Sequence, residues 1–419
     1  MFRPVSTHLC RRNEHACDVI DKEHSRGTNL GPKMSPLPTP TADASRRGFI
    51  KAIGALAATT ALSPSLRSIA QTPEGNEAKP VTIAFVGCAH IHTPGFITLL
   101  TKERQDVRVK YVWDPLPARA EKRAAELGGK VTTSLEQIWT DPEVMAVVIC
   151  SETSRHHELV LAAARARKHI FAEKPLGITA AESTEMAEAI EQAGVLFTTG
   201  YFMRTMPTHL FLREQVRSGV FGKITRVRGS NCHGGSLGGW FDAKPDKPWE
   251  DWRWMADPKI AGFGAFGDLG THMLDILIWM FGDVESITSD IRVVNGRYDD
   301  CDEAGEALLR FHNGAVGTLA AGWVDVADPV TLQIAGTEAH AVIMNGSLFF
   351  TCAKIPGANG KQPWTELPRG PVSPLHQFIN AVAGQPGMPL VTPREAAARV
   401  AVMEAAYQSS RSGVRVKVA

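Results

Sequence analysis

Several features that define common protein classes are missing from this sequence of 419 residues. The formal net charge is only +1, so the chain lacks the basic excess that a nucleic-acid-binding protein displays. The seven cysteines are scattered without C-x-x-C spacing, which indicates neither a zinc site nor a disulfide framework. We therefore expect no nucleic-acid partner and no metal site.

The N-terminal region also lacks an apolar run that spans a bilayer comfortably. The run "AIGALAATTALSPSL" at residues 52–66 is short and is interrupted by Ser63 and Pro64. Its length is that of a signal-peptide core, and it follows paired arginines in "SRRGFIK" at residues 45–51. The next residues, "SIAQ", supply a small-x-small signal, so we expect cleavage after Ala70.

This arrangement resembles the twin-arginine export signal, whose machinery transports proteins that are already folded. We expect translation to start at Met34, residues 1–70 to form the leader and signal peptide, and residues 71–80 to form a linker. The mature protein would then be periplasmic or secreted, without stable membrane insertion. Two alternatives stay open, a basic leader with an incidental apolar patch and an uncleaved membrane anchor.

After residue 80, strand patterns alternate with helical patterns. Buried strands are indicated by the apolar runs "VTIAFVG", "DVRVKYVWD", "VMAVVICS", "KHIFAEKP" and "VLFTTGY". Continuous apolar strands separated by helices favour a parallel sheet that is covered on both faces. The sequence thus predicts an α/β Rossmann-like domain over residues 81–200.

The pattern changes after Gly200. Runs of period two, such as "VESITSDIRVV", "AVGTLAAGW" and "VTLQIAG", are separated by Gly, Asn and Asp turns. They predict an α+β domain with a largely antiparallel open sheet over residues 201–419. A final helix begins at Thr392 and Pro393 and is expected to pack back against the main body.

A partial dinucleotide-binding motif follows the first strand. The pattern G-x-G-x-x-G would place glycine at positions 87, 89 and 92. The turn consists instead of Gly87, Cys88, Ala89, His90, Ile91 and His92. Ala89 still permits fairly close approach to a pyrophosphate, and the two histidines could face the cofactor or the substrate. An ordinary turn that binds nothing remains an alternative.

Asp114 strengthens the case for a dinucleotide. It closes the second apolar strand, 22 residues beyond His92, where a carboxylate can accept hydrogen bonds from an adenosine ribose. Its charge would repel a 2′-phosphate, and Pro115 offers no compensating donor, so NAD is favoured over NADP. A solvated aspartate at the end of a strand is the alternative.

A polar pair interrupts an otherwise apolar helix in "GAFGDLGTHMLDILIWMFG". A helix that is apolar nearly all round is buried. Asp268 and His272 lie four residues apart and therefore project from one face, and Asp275 follows near it. Such charges must be paired or lie at a wet cavity. A purely structural hydrogen bond between Asp268 and His272 is the alternative to a catalytic role.

The segment "AEKPLG", preceded by "ICSETSRHHELVLAAARARKHIF", resembles the signature of the Gfo/Idh/MocA oxidoreductases, the glucose-fructose oxidoreductase and inositol dehydrogenase family. The resemblance extends from about residue 81 to the end. It implies that Lys174 bridges the substrate hydroxyl and the nicotinamide, that His272 is the base, and that Asp268 orients His272 or the substrate. Besides residues 87–92 and Asp114, it implies cofactor contacts from Ser151, His156, Glu173 and Lys174.

The resemblance also implies a function and an assembly. We expect oxidation of a secondary hydroxyl of a sugar or cyclitol by NAD, in a dimer or tetramer formed through the open sheet. Tight binding of NAD is expected from the export signal, because free NAD is a cytoplasmic metabolite and a folded, exported enzyme would have to keep the NAD that it took up before export. From their positions after the last Rossmann strand and in a loop rich in Gly and Trp, we also expect substrate contacts from Tyr201, Arg204, His233 and Trp254. A subunit interface formed by the Trp-rich loop, and an exposed polar face for Tyr201 and Arg204, are the alternatives. Two other hypotheses stay open, a redox-neutral NAD-dependent glycosidase or epimerase and a non-catalytic carbohydrate-binding protein.

Overall fold

A computed structural model of the protein describes residues 80–418. The predicted leader and signal peptide, and the predicted linker up to residue 79, lie outside the described residues. Within residues 80–418, none of the helices combines the length and the apolar character needed to cross a membrane.

The first sheet has six parallel strands in the order β3-β2-β1-β4-β5-β6. Its strands are β1 (Val81–Cys88), β2 (Val107–Trp113), β3 (Lys130–Val131), β4 (Ala146–Cys150), β5 (His169–Ala172) and β6 (Phe197–Thr199). All eight residues of β1 are buried, as expected for a central strand covered on both faces. The strand order reverses between β1 and β4, and in open α/β sheets ligands bind at such a reversal, outside the carboxyl ends of the strands.

The connections in this domain are helical, as the alternation predicts. The helices are α1 (Thr93–Glu103), α2 (Pro117–Leu127), α3 (Leu135–Thr140), α4 (His156–Arg165) and α5 (Ala180–Ala193). Helix α5 begins after Thr179, whose hydroxyl accepts a hydrogen bond from Glu182 N, and ends at Gly194 in the left-handed conformation. Both ends therefore have the capping residues that helix termini prefer.

The second sheet has eight strands in the order β13-β12-β11-β7-β10-β9-β8-β14. Its strands are β7 (Ile224–Cys232), β8 (Val284–Arg292), β9 (Ala304–Phe311), β10 (Val316–Gly322), β11 (Val330–Gly336), β12 (Ala339–Met344), β13 (Ser347–Cys352) and β14 (Val416–Lys417). Strands β7 and β10 pair in parallel, and the other neighbours are antiparallel. The predicted fold class, a parallel α/β domain followed by an α+β domain with a largely antiparallel sheet, is confirmed.

One buried helix positions the polar pair of the second domain. The helices here are α6 (Pro207–Arg217), α7 (Pro258–Ala261) and α8 (Ala265–Phe281). Of the 17 residues of α8, 15 are buried, and the helix packs closely on β7, where a Cβ at Gly229 would lie 2.5 Å from Met273 Cγ. The helix therefore holds Asp268 and His272 in a fixed place.

The last two helices, α9 (Pro374–Val382) and α10 (Pro393–Ser412), return to the rest of the molecule. Helix α10 starts at a capping box of Thr392 and Glu395 and packs against α5 and β8. Helix α9 buries Leu375 and Phe378 in one cluster with residues of β1. A segment from the C-terminal part of the chain thus completes the core of the first domain.

Candidate active site

Lys174 follows β5 and is almost completely buried, with 2% of its side chain exposed. Its Nζ lies 2.5 Å from Asp268 Oδ1 and donates to the carboxylate, whose Oδ2 accepts a hydrogen bond from Trp323 Nε1 at 3.2 Å. Burial opposes the ionisation of Asp268, but Lys174 outweighs it and holds the pKa of that carboxyl well below its usual range. The pair joins the first sheet to α8.

The structure gives Asp268 a different partner from the expected one. Asp268 and His272 lie one turn apart on α8, but the carboxylate oxygens serve Lys174 and Trp323 rather than the imidazole. A charged ammonium is a stronger partner for a buried carboxylate than a neutral ring. Asp268 therefore orients Lys174, and no hydrogen bond joins Asp268 to His272 within residues 80–418. An orienting role of Asp268 toward His272 or the substrate stays a prediction.

His272 lies in an aromatic environment at the same site. Its ring centroid is 4.9 Å from that of Phe202, 6.1 Å from Tyr201 and 6.4 Å from His92. Its buried Nδ1 has no hydrogen-bond partner among the described residues. Burial, with Lys174 and His92 adding to it, lowers the pKa of His272 well below its usual value. The imidazole is therefore neutral near pH 7, as a general base must be.

The turn after β1 packs tightly against the end of β4. Gly87 has a φ of +81°, and a Cβ at this position would lie 2.5 Å from Ser151 Cβ, so the turn requires glycine. Cys88 N donates to Asp114 Oδ2 at 2.7 Å, and burial raises the pKa of the Cys88 thiol. Ile91 is half-buried and packs against the hydrophobic core. The turn thus lies at the reversal of strand order where a dinucleotide fits.

Asp114 has a cationic neighbour that the sequence analysis missed. Its Oδ2 also accepts from Arg119 Nε at 2.8 Å, and Arg119 binds Glu152 Oε1 at 2.6 Å. The other oxygen of Glu152 is buried and has no partner among the described residues. The signal for Arg119 lay in its position in the first turn of α2, five residues after the strand-end aspartate. Contact of Asp114 with a ribose stays a prediction, because its side chain is fully buried.

Glu173 forms a cluster with the two histidines of the turn. The carboxylate is completely buried, with Oε1 3.3 Å from His92 Nδ1 and Oε2 3.8 Å from His90 Nε2. Burial lowers the pKa of His90 to about 3. Burial opposes ionisation of Glu173, but His90, His92 and Lys174 outweigh it and hold its pKa well below the usual range. These predicted cofactor residues are therefore brought together beside Lys174.

Two of the predicted substrate residues lie at this site. Tyr201 is 1% exposed, and its hydroxyl bonds to Thr271 Oγ1 at 2.9 Å. Trp254 donates from Nε1 to Ala89 O at 3.3 Å and so covers the glycine turn. A narrow cleft is lined by His90, Thr153, Lys174, Trp254, Phe263 and Asp268. Tyr201 therefore supports the wall beside His272, and Trp254 closes the cleft.

His233, a third predicted substrate residue, belongs to the loop that follows β7. Its ring centroid lies 4.7 Å from that of Trp240, with the ring planes tilted by 39°, and its Nδ1 accepts a hydrogen bond from Gly235 N. Burial lowers the pKa of His233, and the neighbouring charges of Asp268 and Lys174 act on it in opposite directions. The ring therefore lies within electrostatic range of the Lys174–Asp268 pair, while contact with substrate stays a prediction.

Two predicted site residues have structural partners instead. Arg204 forms two hydrogen bonds with Asp275, at 2.8 and 2.6 Å, and an ion pair with Glu395 at 3.0 Å. Its Nε and Nη2 are thus used by carboxylates of this chain, and contact of Arg204 with substrate stays a prediction. His156 is fully buried and its Nδ1 lies 3.1 Å from Pro175 O. It supports the turn after Lys174, and its buried Nε2 has no hydrogen-bond partner among the described residues, so contact of His156 with the cofactor stays a prediction.

Two segments of the chain match known protein families. Residues 81–201 match the family described as "Oxidoreductase family, NAD-binding Rossmann fold", and residues 209–342 match the "GFO/IDH/MocA C-terminal domain". The first match confirms the predicted NAD-binding domain. The histidines and Glu173, and the Lys174–Asp268 pair, fall at the carboxyl edge of that domain.

Relatives of known function share part of the sequence. Levoglucosan dehydrogenase of Pseudarthrobacter phenanthrenivorans is 28% identical, over 56% of this chain and 64% of the relative. The scyllo-inositol 2-dehydrogenase (NAD(+)) of Bacillus subtilis is 28% identical, over 73% and 87%. Myo-inositol 2-dehydrogenase of Thermotoga maritima is 33% identical, over 43% of this chain and half of the relative.

Solved structures share the fold. Levoglucosan dehydrogenase in complex with NADH and levoglucosan superposes with a TM-score of 0.67 at 22% identity, over 81% of this chain and 99% of that one. An aldose-aldose oxidoreductase from Caulobacter crescentus gives 0.67 at 19% identity, over the same shares. Together with the two family matches, these findings establish that the chain belongs to the Gfo/Idh/MocA family of NAD-dependent oxidoreductases.

Proposed function

We propose that this protein is an exported oxidoreductase that oxidises a secondary hydroxyl of a sugar or cyclitol and retains its NAD between turnovers. The observation that carries the proposal is the juxtaposition of Lys174, oriented by Asp268, with the neutral imidazole of His272. The names of the relatives, dehydrogenases of levoglucosan and of inositols, support the substrate class.

The side chains of the site divide the chemistry between them. NAD, when bound, supplies the hydride acceptor; Gly87 and the turn after it would hold its pyrophosphate, and Asp114 and Glu152 would lie near its ribose. The ammonium of Lys174 binds the substrate oxygen and stabilises negative charge that develops there. His272 accepts the hydroxyl proton because its imidazole is neutral.

Export gives a reason for tight retention of the cofactor. NAD is a cytoplasmic metabolite, so an exported enzyme that released it in each cycle would soon be empty. The signal in "SRRGFIK" suits transport of a folded protein that has already taken up NAD. Trp254 supports enclosure, since it covers the turn through its hydrogen bond to Ala89 O. A second substrate or a redox-neutral cycle would then reset the cofactor in place.

We also propose that the protein is a homo-oligomer formed through the eight-stranded sheet. Its strands β9 to β12 leave large apolar side chains exposed, and a second copy of the sheet would cover them. These side chains are Leu308, Val316, Val330 and Met344.

The experiment uses mature protein recovered from a periplasmic extract. Mass spectrometry after gentle denaturation is expected to find one NAD per chain, and prolonged dialysis is expected to leave both NAD and activity in place. Incubation with aldoses, aldonolactones and cyclitols is expected to change the nicotinamide absorbance and to yield a ketosugar or lactone. Loss of NAD on dialysis, with activity restored only by added NAD, contradicts retention. Cleavage of aryl glycosides without net oxidation indicates the redox-neutral reaction instead.

A further inference from the structure

We propose that His90, His92 and Glu173 form a binding site for one divalent transition-metal ion. Two imidazoles and one carboxylate are the donor set of many zinc and non-haem iron(II) sites. The cysteine spacing gave no indication of such a site, and the histidines were assigned to the cofactor. The folded structure brings the three side chains together, although 81 residues separate His92 from Glu173 in the sequence.

The distances suit a shared ion. Each side chain offers one ligand atom, and these three atoms all lie within 4.8 Å of one another. Glu173 Oε1 is 3.3 Å from His92 Nδ1, and Glu173 Oε2 is 3.8 Å from His90 Nε2. Two ligands of one ion at about 2.1 Å are roughly 3 to 3.5 Å apart. Small side-chain movements therefore bring the three atoms to one ion.

The charge balance supports a cation at this position. Glu173 is completely buried, and among residues 80–418 its ion-pair partners within 4 Å are the two histidines, with no lysine or arginine. The neighbouring Lys174 ammonium is directed to Asp268 instead, at 2.5 Å. The carboxylate is therefore in direct contact with ring nitrogens and a backbone N–H, and not with an ammonium or guanidinium group, among these residues. A cation in contact stabilises a buried carboxylate, and a divalent ion would take that place.

The carboxylate is also held in place by its surroundings. Lys174 N donates to Glu173 Oε2 at 3.0 Å, and a Cβ at Gly200 would lie 2.9 Å from both carboxylate oxygens. His90 Nδ1 accepts a 3.2 Å hydrogen bond from His92 N. Ligation through His90 Nε2 moves the ring proton to Nδ1 and gives up this long hydrogen bond. The site is otherwise ordered before the ion arrives.

Three protein ligands leave at least one coordination position for an oxygen. The unpartnered Nδ1 of His272 belongs to a ring 6.4 Å from that of His92. If the proposed oxidation holds, Lys174 would bind the substrate oxygen, His272 would take the hydroxyl proton and NAD the hydride, beside an ion whose open position takes an oxygen ligand. Ion binding itself does not depend on that reaction.

The test titrates chelator-treated, untagged mature protein with Co²⁺. We expect one ion per chain, seen both in the visible d–d absorption of the bound ion and by elemental analysis. His92→Ala removes a partly exposed ligand, and Glu173→Gln removes the charge at nearly constant volume. Both variants are expected to lose the Co²⁺ absorption. His157→Ala is the matched control, because its imidazole pairs with Glu185 at 2.8 Å on the surface, and it is expected to bind Co²⁺ like the parent protein.

Circular dichroism checks that each variant is folded. The proposal is overturned if the folded parent protein binds no Co²⁺, or if folded His92→Ala and Glu173→Gln bind it as well as the parent. Sugar oxidation is measured separately with NAD-loaded protein. Stoichiometric Co²⁺ binding without any sugar oxidation supports the metal site and contradicts the proposed function alone. Sugar oxidation by a protein that does not bind Co²⁺ contradicts the metal site alone.

Discussion

At the scale of single residues, the site depends on which charged groups are paired. Lys174 and Asp268 satisfy one another, so the ammonium is fixed in direction at a buried position. His272 has no such partner at Nδ1. The Lys174–Asp268 pair holds a positive charge in a fixed direction for a substrate oxygen, and the unpartnered Nδ1 leaves the His272 imidazole available to take a proton.

The state of His272 gives a prediction for activity. Because burial and Lys174 lower its pKa, the imidazole stays unprotonated well below pH 6.5. We expect the acid limb of kcat/KM to lie below pH 6.5, and His272→Ala to lower turnover at least about a hundredfold. His157→Ala is the control and is expected to keep parental turnover. Near-normal turnover of folded His272→Ala eliminates this residue as the base.

The lowered pKa of His272 also predicts how the stability of the folded protein changes with pH. The folded protein binds a proton at His272 less readily than the unfolded chain does, since the pKa is lowered on folding. The stability that depends on the neutral ring is therefore present above pH 6.5 and is lost as the pH falls below that value. Thermal unfolding of His272→Asn is expected to depend less steeply on pH below 6.5 than that of the parent protein.

At the scale of elements, the sequence predicts what is periodic and misses what joins distant segments. The parallel strands are recognisable because burial on both faces leaves continuous apolar runs, and α8 is recognisable because little of it is polar. By contrast, Asp275 pairs with Arg204 and Arg399 across 71 and 124 residues. No local pattern records such contacts. The same is true of Trp323, whose indole holds Asp268 from 55 residues away.

The turn after β1 allows a matched pair of glycine variants. Gly87→Ala is expected to lower the free energy of unfolding by about 2 kcal/mol or more and to abolish NAD binding, because of its positive φ and the 2.5 Å approach to Ser151. Gly95→Ala, in α1, meets no heavy atom within 4 Å. It is expected to raise the free energy of unfolding by about 0.5 kcal/mol. Denaturant unfolding measures both, and equal effects would contradict the packing described for the turn.

At the scale of the whole molecule, segments that are far apart in the sequence pack into one core. Helix α9 comes late in the sequence, yet Leu375, Phe378 and Ile379 are completely buried with β1 residues such as Ile83 and Phe85. The first domain therefore lacks part of its core until residues near 380 have joined it, and we expect both domains to unfold together.

Phe378 provides the test of this coupling. Its ring is fully buried and lies 6.0 Å from that of Phe171 on β5. Phe378→Ala is expected to lower the free energy of unfolding by about 3 to 5 kcal/mol. Phe378→Ala is also expected to release bound NAD at a lower temperature than the parent protein, because the removed ring supports the NAD-binding domain although it lies late in the sequence.

Val326→Ala is the control because Val326 is 95% exposed, and its unfolding is expected to match that of the parent. Calorimetry should show a single transition for the parent protein and for both variants. Two outcomes would show that α9 does not couple the two sheets. One is two separate unfolding transitions in the parent protein, and the other is that only the second domain of Phe378→Ala is unfolded.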